Sequence, residues 1–153
     1  MEEATLQTYN LDETIQLGKK LGENLRGGEV IELTSDLGGG KTSLVRGIAE
    51  GFGSVDPVSS PSFTICNTYS RSDGKQISHF DFYRLDNPGI VADELAEVIG
   101  DENVVTIVEW GATVHDVLPQ NKILITISTE SEDERTVTFK YTKDFIYVCK
   151  GIK

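Results

Sequence analysis

Apolar and polar positions change period several times along the chain, and each change predicts an element. Ala4–Asn10 alternates weakly and reads as a short strand. Ile15, Leu21 and Leu25 then recur at helical spacing behind Asp12, a side chain suited to the N-cap, and Gly27-Gly28 stops that helix. Glu29–Thr34 is β-branched and apolar enough for a buried strand. Ser43–Phe52 sets Leu44, Val45, Ile48 and Phe52 on one helical stripe, and Gly53 ends it. Ser54–Pro61 carries two prolines and reads as a loop.

Phe63–Tyr69 and Gln76–Leu85 read as two strands of a hairpin turning through Arg71-Ser72-Asp73-Gly74-Lys75. Val91–Ile99 predicts a short helix. Val104–Trp110 is a near-continuous apolar run, the pattern of a central strand covered on both faces. Lys122–Thr129 and Arg135–Tyr141 read as a second hairpin around the acidic turn Glu130–Glu134, and Asp144–Ile152 adds an edge strand. The order predicts an α/β fold, a mixed central sheet flanked by helices, in one domain over residues 1–153.

Composition adds limits. The 38% hydrophobic and 25% charged content is that of a soluble domain, and the lack of an 18-residue apolar run argues against a membrane span. The acidic start, Met1-Glu2-Glu3-Ala4, is unlike a signal peptide, so the expected compartment is the cytoplasm. Cys66 and Cys149 have no metal or redox spacing. With 14 Lys and Arg against 25 Asp and Glu, the net charge of −11 argues against a protein that grips a polyanion itself. It suits solubility, or docking by basic partner proteins.

The candidate chemistry sits between the buried strand and the second helix. Ser35-Asp36-Leu37-Gly38-Gly39-Gly40-Lys41-Thr42 matches the phosphate-binding loop G-x-x-x-x-G-K-[ST] except at its first position. Glycines without Cβ atoms let the backbone take positive φ and turn amides onto phosphate oxygens. Lys41 brings a charge to the β- and γ-phosphates, and the Thr42 hydroxyl is a hard ligand for Mg²⁺. Asp36 to Thr42 are therefore the expected ATP-binding residues, at the positive end of a helix, and the fold expected is that of P-loop NTPases. If the first position needs positive φ, the Cβ of Ser35 is strained and binding weakens.

A Mg²⁺–ATP site also needs a carboxylate on a neighbouring strand. Asp81, between Phe80 and Phe82, points away from the aromatic face and is assigned to the Mg²⁺ shell. Glu109 ends the run Val104–Val108, at the carboxyl edge where open α/β sheets bind ligands, and serves either the metal or the attacking water. Lys41, Asp81 and Glu109 are the catalytic candidates, and Thr42, Asp81 and Glu109 the metal candidates. Trp110, the only tryptophan, is either a rim aromatic or a stacking face for adenine. Ser60, Pro61, Ser62, Phe63 and Thr64 follow the second helix, where P-loop proteins often sense the γ-phosphate, and are read as a switch-like loop. Of the two histidines, His79 is read as lying near the site and His115 as surface, and neither has a metal-like partner.

At these residues the chain resembles the TsaE (YjeE-type) family, the bacterial ATPases of tRNA threonylcarbamoyladenosine synthesis. The family pattern is a G-D-L-G-A-G-K-T loop, then S-P-T-[FY]-T, then H-F-D-[LF]-Y-R-L, then a strand ending E-W. Here these fall at Ser35–Thr42, Ser60–Thr64, His79–Leu85 and Glu109-Trp110, in that order. Ser35 replaces glycine, Gly39 replaces alanine and Ser62 replaces threonine. The resemblance runs to about Lys122, and Asp144–Lys153 matches nothing in the pattern. It implies ATP and Mg²⁺ as cofactors, Ser43 as a further ATP-binding residue, TsaD-like and TsaB-like partners, contact with tRNA only through them, and turnover that resets the complex. Two other readings of the loop are a small-molecule kinase and a nucleotide-switched binding module with negligible turnover. A kinase lid needs several arginines, and only Arg84 lies between Gly74 and Gln120.

Overall fold

Six consecutive buried side chains, Val104 to Glu109, put the apolar run in the middle of a sheet. The computed structural model describes residues 1–35, 40–58, 66–82 and 89–152, without the side chain of Thr113. In chain order its elements are β1 (Glu2–Thr8), α1 (Leu11–Asn24), β2 (Val30–Ser35), α2 (Lys41–Phe52), β3 (Cys66–Ser70), β4 (Gln76–Asp81), α3 (Gly89–Val98), β5 (Val104–Glu109), β6 (Ile123–Thr129) and β7 (Arg135–Tyr141). Short 3₁₀ turns cover Gly111–Val114 and Lys143–Cys149.

Among the described residues the strands form one mixed sheet in the order β1-β7-β6-β2-β5-β4-β3. β2 is parallel to β5 and β6, and β4 is parallel to β5, while the two hairpins and β1 pair antiparallel. The carboxyl ends of β2, β4 and β5 therefore share one edge. One face of the sheet packs Leu33, Ile77, Ile107 and Ile125 against α1 and α2. The other packs Val30, Phe80, Phe82 and Val108 around Leu95 of α3.

The α1–α2 contact fixes where the second helix starts. α1 carries Gly18 and Gly22, α2 carries Gly47 and Gly51, and each pair spaced by four presents one bare stripe. The backbones close to touching distance: a Cβ at Gly47 would sit 2.1 Å from the Ile15 carbonyl oxygen, and one at Gly22 would sit 2.1 Å from that of Ile48. The far end of α2 is tied to the β3–β4 hairpin, because Arg71 donates to the Phe52 carbonyl at 2.9 Å and lies over the Phe52 ring.

Three expectations are corrected. α1 is capped by Asn10, not Asp12: Asn10 Oδ1 accepts from the Glu13 amide at 2.8 Å, and Glu13 Oε1 accepts from the Tyr9 amide at 2.9 Å. Asp144–Ile152 is not an edge strand. Its 3₁₀ turns bury Val148, and Ile152 beyond them is buried in the same α1 face of the core; Asn24 of α1 donates to the carbonyls of Val148 and Lys150. The central strand ends at Glu109, not Trp110, which takes left-handed backbone angles (φ 58°, ψ 48°). The expected reach of the first hairpin to Phe63 and to Leu85 lies partly outside the described residues; the described strands are β3 and β4.

Candidate functional site

β2 runs into the glycine loop, and α2 begins directly behind it. Asp36, Leu37, Gly38 and Gly39, and the switch-like residues Ser60, Pro61, Ser62, Phe63 and Thr64, lie outside the described residues. Gly40 is described, and it takes φ +97°, the positive φ expected of this loop. As the N-cap of α2 it has no side chain to occupy the first-turn amides, and no acidic residue stands in that turn. Ser35 closes β2 and is not at positive φ, so its Cβ brings no left-handed strain.

Register decides which side chains meet α2. Asp81 is the strand partner of Glu109, and Glu109 is the partner of Leu33. Side chains alternate along a strand, so Asp81, Glu109 and Leu33 share the α2 face, while Phe80 and Phe82 lie on the other. The predicted opposition of Asp81 to its aromatic neighbours holds. Glu109 is 4% exposed. A carboxylate so buried needs charged or hydrogen-bonding partners, and it has both. Its Oε1 lies 3.5 Å from Lys41 Nζ, and its Oε2 accepts from His79 Nε2 at 2.5 Å. The same Lys41 ammonium stands 4.8 Å from the centroid of the Trp110 ring. Thr42 is exposed on the first turn of α2, and Ser43 is half-buried beside it.

Thus Lys41, Glu109 and Trp110 are brought into contact, with Asp81 beside Glu109 in register. Two contributors were not assigned from sequence. His79 is buried, and its Nδ1 lies 3.1 Å from the Tyr69 hydroxyl. Arg135, at the start of β7, donates from Nη1 to the carbonyls of Ser131, Glu132 and Glu134 at 2.9, 3.1 and 2.9 Å. Its Nε lies 3.5 Å from where a Cβ on Gly40 would stand. Arg135 opens an apolar strand pattern, and nothing local in the sequence signals that contact. His115 follows the 3₁₀ turn and is exposed, as expected. Among the described residues no group of three His, Cys, Asp or Glu side chains is placed to hold a metal.

The profile of the family described as "Threonylcarbamoyl adenosine biosynthesis protein TsaE" matches residues 8–137. This chain belongs to the TsaE family. The match extends past the motif-bearing segments into the second hairpin, so it includes Arg135. A Bacillus subtilis protein named "tRNA threonylcarbamoyladenosine biosynthesis protein TsaE" is 35% identical over 144 residues, spanning 91% of this chain and 86% of its own. A Haemophilus influenzae protein of the same name is 34% identical over 135 residues, spanning 80% and 82%. The crystal structure of Bacillus subtilis YdiB superposes with a TM-score of 0.80 at 32% identity, over 97% of this chain and 93% of that one. The TsaE-family chain thus has the mixed α/β sheet with flanking helices expected of it. Among its described residues no helix is long and apolar enough to cross a membrane.

Proposed function

We propose that this TsaE-family chain binds Mg²⁺–ATP at the carboxyl edge of β2, β4 and β5 and hydrolyses it. Through TsaB-like and TsaD-like partners that turnover serves tRNA threonylcarbamoyladenosine synthesis. One observation carries the proposal: Lys41, on the first turn of α2, is ion-paired with the buried Glu109 of a parallel strand, 3.5 Å away. A P-loop lysine and a strand-end acid meet in this way where phosphates are to be held and a water activated.

The ammonium is a compact charge on a flexible stem. When a triphosphate enters, Lys41 moves from Glu109 to the β- and γ-phosphate oxygens, where the charge attracts it more strongly. Glu109 Oε1 is then free to accept a hydrogen bond from the attacking water, while Oε2 stays with His79. Water adds to the γ-phosphorus, the bond to the bridging oxygen breaks, and ADP, phosphate and a proton result. With Oε2 kept on His79, Glu109 offers a single oxygen, Oε1, and we give it to the attacking water.

The donors present suit Mg²⁺. Thr42 and Asp81 would hold it through a hydroxyl and a carboxylate, and an ion that takes few protein carboxylates alongside phosphates needs no cluster of three. When bound, it neutralises charge on the phosphate oxygens. Trp110, 38% exposed at the rim, is suited to stacking on adenine. The net charge of −11 supports contact with tRNA through protein partners over a direct grip.

Phosphate release from ATP is measured with Mg²⁺, first with the protein alone and then with TsaB-like and TsaD-like proteins. Slow release that rises with partners, and is lost in Glu109→Gln, is expected. Release that Glu109→Gln leaves unchanged contradicts the assignment of that residue. Binding without release in either mixture returns the reading to a nucleotide-switched binding module.

A further inference from the structure

Three polar side chains run diagonally across the face of the sheet that carries Leu33, Ile77 and Ile107. Tyr69 of β3 is the strand partner of Ile77, and His79 lies two residues on from Ile77 on the same face of β4. His79 in turn pairs with Ile107, and Glu109 lies two residues on from Ile107 on β5. Each step moves one strand inward and two residues toward the carboxyl edge. The three residues are 2%, 1% and 4% exposed. Polar groups so placed destabilise the fold unless every step is hydrogen-bonded, and here each step is: Tyr69 hydroxyl to His79 Nδ1 at 3.1 Å, His79 Nε2 to Glu109 Oε2 at 2.5 Å.

The donors order themselves along the row. An ionised Glu109 is acceptor-only, so the bond to it takes its proton from His79 Nε2. His79 Nδ1 then presents a lone pair, and the Tyr69 hydroxyl donates to it. The row fixes the imidazole ring and its tautomer, and through them one carboxylate oxygen. With Oε2 held from behind, Oε1 has one direction left to face, and that direction is Lys41 at 3.5 Å. An aliphatic residue at position 79 would take away the donor to Oε2 and leave the carboxylate free to rotate.

We infer that His79 and Tyr69 are positioning residues that hold Glu109 in its working orientation, an inference that rests on Glu109 acting on the attacking water. A carboxylate misplaced by an ångström loses about 100-fold in rate, so the effect is large enough to measure.

Turnover of Mg²⁺–ATP, ADP affinity and the Trp110 emission spectrum are compared for the native chain, His79→Met, His79→Gln, Tyr69→Phe and Glu109→Gln. His79→Met fills the same volume without a donor, and it is expected to lower kcat about 100-fold while KM and ADP affinity stay within about 3-fold. His79→Gln offers an amide donor at the reach of Nε2 and is expected to recover at least about tenfold of that loss. Tyr69→Phe removes one hydroxyl, and its kcat is expected to fall by about 3-fold or more; this variant keeps the test open where His79→Met does not fold. Native kcat in His79→Met overturns the inference, as does an equal fall in the Met and Gln variants, which means packing alone.

If Glu109→Gln turns over like the native chain, the reading of Glu109 has failed. The emission spectrum then decides whether His79 still orients it. Lys41 lies between Glu109 and the indole, so a carboxylate released in His79→Met shifts the nucleotide-free spectrum in the sense that Glu109→Gln does. An unshifted spectrum in His79→Met overturns the positioning role.

Discussion

Lys41 Nζ stands 4.8 Å from the centre of the Trp110 ring while lying 3.5 Å from Glu109 Oε1. The indole is thus a sensor of the P-loop lysine. It is held there by left-handed backbone at Trp110, a conformation a bulky residue adopts at a cost of about 1–3 kcal/mol. The turn brings the ring back over the end of α2, and not on along the line of β5.

Trp110 is the only tryptophan, so emission reports one position. On the proposed function, ADP draws the ammonium to phosphate and places its base near the ring, and quenching of the emission is expected. A fluorescence titration checks it. A signal indifferent to ADP at concentrations that saturate binding by calorimetry would place the base elsewhere.

The seat of α2 depends on its glycine stripe. A Cβ at Gly47 would meet the Ile15 carbonyl oxygen at 2.1 Å, a backbone atom that cannot rotate away. Alanine gains about 1 kcal/mol of helix propensity over glycine, but overpacking of this kind costs about 1–3 kcal/mol and more where backbone is hit. Gly47→Ala is expected to lose about 2 kcal/mol net, lowering Tm by roughly 4–8 °C in calorimetry. A Tm at or above the native value would mean that the helices have room to separate.

Burial, with help from the Glu94 carboxylate, pushes the Cys66 thiol up to about 11. At pH 8 such a thiol is about 0.1% thiolate, against roughly a tenth for an ordinary one. Alkylation of Cys66 by iodoacetamide at pH 8 is therefore expected to be about 100-fold slower in the folded protein than in denaturant, read by peptide mass spectrometry. Equal rates would contradict it. The sign for stability follows: the folded state keeps this proton longer, so the contribution is complete below the ordinary thiol value of 9.0 and is lost as pH rises towards 11.

Local pattern revealed much of this fold, and long-range register the rest. The run from Val104 forecast a strand covered on both faces, and the stripe Leu44, Val45, Ile48, Phe52 forecast α2. Asp12 misled as the cap of α1, although Asn10 with Glu13 three residues on offered a better signal; Asn10 caps the Glu13 amide, and Glu13 in turn holds the Tyr9 amide. The C-terminal stretch misled because Phe145, Tyr147 and Cys149 alternate like a strand. Tertiary contacts override that alternation, as Asn24 of α1 holds the carbonyls of Val148 and Lys150. The glycines of α1 and α2 read one at a time as weak helix formers; only their facing each other turns them into a contact surface. Within the site, Lys41, Glu109 and Trp110 followed from motif and strand-end position. The row from Tyr69 through His79 did not, because it exists only once β3, β4 and β5 take their registers. The approach of Arg135 to Gly40 likewise depends on the strand order β7-β6-β2.

The measurement that bears most directly on the nucleotide site is titration calorimetry of Mg²⁺–ATP into the native chain and into Lys41→Ala, each first checked for folding by circular dichroism. The native chain is expected to bind one equivalent, and loss of the ammonium to weaken binding by about 100-fold or beyond detection, the worth of a charge-assisted contact to phosphate. Equal affinity in the two proteins would contradict the account.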